Sequence, residues 1–126
     1  MPRLKRIASP IAAILFAAAT AACERPVAAP RDADDPAKRG AALITQAGCG
    51  LCHRIPHIKD ATGNIGPPLN GIAGRVFIAG VLNNTPENMV LWLRSPQQVV
   101  PGNAMPDMGL DERQARDIAA YLETLR

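Results

Sequence analysis

Apolar positions recur with a helical period in three stretches of the chain. In the first, Gly40, Leu43, Ile44 and Ala47 stand at i, i+3, i+4 and i+7 and share one face. Asp35 can cap that helix, Pro36 suits its first position, and Gly48 ends it, which predicts a helix over 36–47. A second is predicted over 86–95. Thr85 caps it, Pro86 opens it, Met89, Trp92 and Leu93 are helically spaced, and Pro96 stops it because proline has no N–H to donate. The third spans 112–125, with Ala115, Ile118, Ala119, Leu122 and Leu125 as its apolar stripe. Asp111 and Gln114 before it form a capping-box pattern, each side chain bonding the other's backbone N–H.

The N-terminal apolar run is of another kind. "MPRLKR" is basic, "IAAILFAAATAA" at 11–22 is apolar without a face, and Cys23 follows small residues. That order is the layout of a secretory signal, predicted over 1–22. The run is short for a membrane span, which takes roughly 20 residues. Residues 24–36, "ERPVAAPRDADDP", combine Pro, Ala and charge without a period, so 23–36 reads as a flexible tether. The folding unit is then 37–126.

Removing the signal changes the charge balance. Arg3, Lys5 and Arg6 are three of the 14 basic residues, which leaves 11 against 11 acidic residues, all after Cys23. A near-neutral mature chain offers no basic surface for nucleic acid. After the signal, the aromatic residues Phe, Trp and Tyr are represented by Phe77, Trp92 and Tyr121. A unit this short and this poor in aromatics invites a cofactor that adds core volume.

Cysteine usage gives the chemistry. Export implies an oxidising compartment, where spare thiols are uncommon. Cys49 and Cys52 in "GCGLCH" form a pair, so Cys23 is the odd one. Its place at the end of "ATAAC" resembles the lipidation site of bacterial lipoproteins, with Thr20 where that motif usually has leucine. The alternatives are ordinary cleavage nearby and an uncleaved anchor. For the pair, a redox dithiol would follow a strand in a βαβ unit, and no strand pattern precedes Cys49. Zinc would have Cys49, Cys52, His53 and His57 within nine residues, without the separation of the usual two-knuckle spacing. C-x-x-C-H is the attachment signature of c-type haem. Its two thiols add across the haem vinyl groups as thioethers, and the next imidazole falls beneath the iron. His53 is then the proximal ligand. His57, four residues on, reads as a surface polar residue.

"GCGLCH", "GPPLNGIAGR" at 66–75 and "PGNAMP" at 101–106 stand in the order and at the spacing of class I c-type cytochromes, which the whole of 37–126 resembles. The resemblance implies an all-α fold, a small helical bundle wrapped around one covalent haem c. It implies Met105 as the distal iron ligand, in a loop stiffened by Pro101, Gly102 and Pro106, with Met108 its nearest rival and Met89 a core residue. It implies that the Pro67 carbonyl accepts the proximal imidazole N–H. Arg75 matches an arginine near a haem propionate, and Asn103 stands where a hydroxyl often bonds one. Trp92 matches an aromatic packed near the methionine sulfur. Gly40 and Tyr121 match the crossing of the first and last helices, and Ile44 stands where the family often has an aromatic.

A haem with both axial positions filled by protein suits one-electron exchange, and no base or nucleophile stands beside the motif. The expected role is a periplasmic electron carrier, not an enzyme, anchored to the membrane through Cys23. Balanced charge implies little electrostatic steering, so docking could use an apolar surface including Ile55, Ile58 and Ile78, residues whose commoner fate is the core. "NNTPENMVLWLRSPQQVVPGNAMP" resembles the cytochrome c domain fused to subunit II of haem-copper oxidases, which suggests redox partners that include such an oxidase. The rivals are a permanently bound cytochrome subunit of a dehydrogenase or oxidase complex, a dithiol oxidoreductase using Cys49 and Cys52, and a gas sensor with a labile sixth position.

Overall fold

The computed structural model describes residues 34–126. The signal at 1–22, Cys23 and the tether up to residue 33 lie outside the described residues. Helix α1 covers Pro36–Gln46. The Asp35 carboxylate accepts from the Ala37 N–H at 2.9 Å, so the predicted cap forms. Gly48, at φ 70°, turns the chain out of α1 and into the tight turn Cys49–Leu51. Helices α2 (Pro86–Arg94) and α4 (Glu112–Glu123) begin where their caps place them. Thr85 accepts from Asn88, and Asp111 and Gln114 close a reciprocal capping box.

Two elements depart from the sequence expectation. Pro96 ends α2 and also opens a further short helix, α3, at Pro96–Val99. A two-residue hairpin pairs β1 (Phe77–Ile78) with β2 (Leu82–Asn83), antiparallel, with Ile78 opposite Leu82. Ala79 and Gly80, both at positive φ, make its turn. The fold remains helical, with this small ribbon as its only sheet among the described residues.

α1 crosses α4, and the crossing is close because Gly40 has no side chain. A Cβ built there would stand 2.0 Å from the Asp117 carbonyl oxygen and 3.0 Å from the Tyr121 Cβ. Ile44 and Ile118, each about 1% exposed, seal the helix pair from within. Full burial of such a side chain is worth roughly 1.5–3 kcal/mol. Ile44 thus does the packing where the family often has an aromatic. Leu125 lies past the last turn of α4 yet is buried, and its carbonyl accepts from the Ala73 N–H at 3.1 Å. The Tyr121 hydroxyl donates to the Pro56 carbonyl at 2.6 Å and ties α4 to the chain just after the cysteine motif.

One ion pair also joins α1 to α4. The Arg39 guanidinium grips Asp117 with two bonds, at 2.8 and 2.7 Å, and Asp117 is buried. The bond from Arg39 holds the Asp117 carboxyl below its usual range, against the opposing effect of burial. A depressed carboxyl contributes its stability above the unfolded value, about 3.9, and loses it as pH falls through the lower folded value. The wild-type protein should therefore lose stability on acidification below about pH 4. Asp117→Asn should be less stable at neutral pH and show a shallower acid loss. Denaturant midpoints of both proteins across that range check this, and parallel curves would assign the acid sensitivity to other carboxylates.

Candidate haem site

The cysteine motif is wound into one tight turn. Backbone N–H groups of Cys52 and His53 both donate to the Cys49 carbonyl, at 3.2 and 3.0 Å. The second segment, from Gly66, is laid against it by the Gly66 N–H on the Cys52 carbonyl (2.8 Å) and the Leu69 N–H on the Arg54 carbonyl (2.9 Å). This places the Pro67 carbonyl 2.8 Å from His53 Nδ1. A carbonyl can only accept, so Nδ1 carries the proton, and in the neutral imidazole Nε2 is then the nitrogen with the lone pair. Gly66 makes room for the ring: a Cβ there would stand 2.3 Å from Cε1 and 2.6 Å from Nδ1.

Cys49, Cys52 and His53 line a cavity of about 500 Å³. Its apolar wall includes Ile44, Ile55, Ile72, Leu93 and Ile118, and Met105, Met108 and Trp92 line it as well. Met89 lines it too and is buried, as a core residue should be. His57 is exposed and away from the cavity. The volume falls in the range that takes a cofactor-sized ligand. An apolar cavity with two thiols, one oriented imidazole and methionine thioethers in its lining fits a haem. Among the described residues no three His, Cys, Asp or Glu side chains converge as a metal site, which leaves the zinc reading without its ligand set. Burial pushes the Cys49 thiol up, contrary to the lowered value of an activated redox cysteine.

Two polar residues of the lining are engaged within the protein. Arg75 Nη2 donates to the carbonyls of Pro68 and Asn70, so its charge is held at the cavity by backbone. Asn84, unremarked in the sequence, holds the Arg75 and Ile72 carbonyls through one amide, at 2.9 and 2.8 Å. Asn103 also lines the cavity. Its Nδ2 donates to the carbonyls of Pro96 (2.9 Å) and Val100 (2.7 Å), and its Oδ1 accepts from the Met105 N–H (2.7 Å). Both amide hydrogens tie the Met105 loop back to the two ends of α3.

The cytochrome c family model matches residues 37–126. This chain belongs to the cytochrome c family.

The relatives of this cytochrome c domain fall into two groups. One is oxidase subunits: it is 33% identical over 93 residues to cytochrome c oxidase subunit 2 of Alkalihalophilus pseudofirmus, a match covering 71% of this chain and 26% of the relative. The other is cytochromes. It is 38% identical over 90 residues to the cytochrome c-type cyt cy of Rhodobacter capsulatus, covering 61% of this chain and 43% of the relative. It is 35% identical over 93 residues to cytochrome c2 of Rhodopila globiformis, covering 62% and 83%. The chain thus spans about a quarter of the oxidase subunit's length.

Of the two fates open to Ile55, Ile58 and Ile78, the structure shows the core. Ile55 and Ile78 are buried and Ile58 packs against the core. The exposed large hydrophobic residues of the cavity lining are Leu51, Ile65 and Phe77, at 80%, 71% and 51% exposure.

Proposed function

We propose that the chain is a mono-haem c-type cytochrome that passes single electrons between respiratory partners, a terminal haem-copper oxidase among them. The observation that carries this reading is the joint presence, in one apolar cavity, of Cys49, Cys52, His53 and Met105, with the His53 tautomer set by Pro67. Bound there, a haem would supply a one-electron iron couple that axial imidazole and thioether ligands poise toward higher potential. Cys49 and Cys52 would hold it covalently, His53 and Met105 would ligate the iron, and Trp92 would pack beside them. The Pro67 carbonyl keeps the imidazole aimed and strengthens it as a donor. Arg75 keeps a positive charge at the lining, suited to a propionate.

The reading places the protein in the periplasm, exported by residues 1–22 and held to the membrane by lipid on Cys23. A flexible 23–36 arm would raise its local concentration near membrane partners. Among the described residues no helix is long and apolar enough to cross a membrane. Oxidase service is supported by the relatives named cytochrome c oxidase subunit 2. Their greater length favours a second reading, a cytochrome subunit permanently bound in a larger complex, which predicts co-purification with a large partner.

Mass spectrometry of the mature protein should find one haem attached through both cysteines and a lipid on Cys23. Met105→Ala should abolish the weak far-red band of a thioether–iron(III) bond and lower the reduction potential. A colourless protein with both thiols free or bridged to each other would overturn the reading, and an unchanged band in Met105→Ala would remove the distal assignment.

A further inference from the structure

Among the described residues, segment 101–110 makes one backbone–backbone hydrogen bond, from the Asn103 N–H to the Val100 carbonyl at 3.2 Å. It has no helix or strand to hold it, yet it carries Met105. Two side-chain amides supply what the backbone does not. Asn103 accepts the Met105 N–H. Gln97, on α3, does the rest. Its Nε2 donates to the carbonyl of Met105 at 2.7 Å and to that of Asn103 at 2.9 Å, and its Oε1 accepts the Gly102 N–H at 3.1 Å. Met105 is thereby gripped at both of its backbone polar groups, and Gln97 holds the loop at three points. α3 sets the amide in place, since Pro96 opens that helix and Gln97 is its second residue.

We propose that Gln97 is a positioning residue for the sixth iron ligand, fixing the Met105 backbone so that the thioether stays on the metal. The inference rests on the reading of Met105 as distal ligand. Gln97 does not line the cavity. It acts through the loop, and it sets how readily the sixth position opens to competing ligands. Both faces of its amide are needed: two donors for the carbonyls and one acceptor for Gly102.

Two variants of the haem-loaded full chain test this. Gln97→Leu keeps the size and removes all three bonds. Gln97→Glu keeps the shape and the acceptor, and when ionised it sets a carboxylate against two carbonyl oxygens. In the oxidised protein at neutral pH, imidazole competing for the sixth position should bind about tenfold tighter to the Leu variant, the equivalent of roughly one net hydrogen bond lost. The Glu variant should be affected at least as much. The far-red thioether band separates positioning from general destabilisation. At neutral pH it should weaken in both variants, because the Met105 backbone is no longer held at its carbonyl. Wild-type imidazole affinity and band in both variants, with Met105→Ala lacking the band, would overturn the proposal while leaving Met105 as the ligand. If the wild-type protein itself lacks the band, the distal assignment fails and takes the proposal with it. Should Gln97→Leu fail to accumulate, the imidazole affinity and the band of Gln97→Glu at neutral pH decide alone, and wild-type values for both overturn the proposal.

Discussion

Gly40→Ala should melt at least 10 °C below the wild-type protein, the equivalent of roughly 2–3 kcal/mol for a domain of this size. The added methyl would lie 2.0 Å from the Asp117 carbonyl oxygen and 2.6 Å from its carbon. Comfortable carbon contacts lie near 3.5–4.0 Å, so α1 and α4 must part by roughly an ångström or more. Both atoms belong to helix backbone, which cannot swing aside as a side chain can. Separation would loosen Ile44 and Ile118 at the helix pair and stretch the Arg39–Asp117 bonds. Alanine gains about 1 kcal/mol over glycine in a helix interior, which offsets part of the loss. Overpacking of a tight core costs typically 1–3 kcal/mol and occasionally more, and two abutting backbones belong at the upper end. Marginal domains have about 5–15 kcal/mol in all, so the change is large. Gly74→Ala is the control. A Cβ at Gly74 meets nothing within 4 Å, and its melting point should stay within a few degrees. Equal melting points for the two variants would mean that the close crossing is not needed.

Gly66→Ala should leave the helix pair intact and strike the candidate iron site. Its methyl would fall 2.3 to 2.9 Å from three atoms of the His53 ring. A free imidazole could rotate away at little cost. An imidazole bound to iron on one side and to the Pro67 carbonyl on the other cannot, so one of those two attachments must give way. Disturbing such a supporting bond typically weakens metal binding by 10- to 100-fold. The expected result is a sharp fall in the yield of haem-loaded protein and loss of the six-coordinate low-spin spectrum. The surviving protein should also have a lower affinity between His53 and the iron. A Gly66→Ala protein with wild-type yield and spectrum would show that His53 is not fixed by iron in the position described.

These two glycines differ in how visible they are. Gly40 could be picked out because it stands inside a helical stripe, where glycine is costly without a packing reason. Gly66 carries no such signal. Its importance comes from a contact with the His53 ring, 13 residues earlier; the resemblance brings the neighbouring Pro67 to that imidazole but says nothing of the space Gly66 leaves. Gln97 is similar, a polar residue following a proline that reads as solvent-facing until the loop folds over it. Arg39 and Asp117 lie 78 residues apart, and neither position distinguishes its residue from the other charges of its helix.

The chain's local chemistry determined the three long helices, because caps, first-turn prolines and a 3.6-residue stripe all act within a few residues. It also determined the cysteine–histidine motif, whose spacing is itself the chemistry. The short helix α3 and the hairpin escaped, since four residues hold barely one helical period and two-residue strands hold no alternation. Tertiary structure alone decided that the Asn103 amide bonds the Pro96 and Val100 carbonyls and that Gln97 holds Met105. Each of these depends on which distant backbone arrives beside the residue, and that is settled by the packing of the helices around a shared cavity.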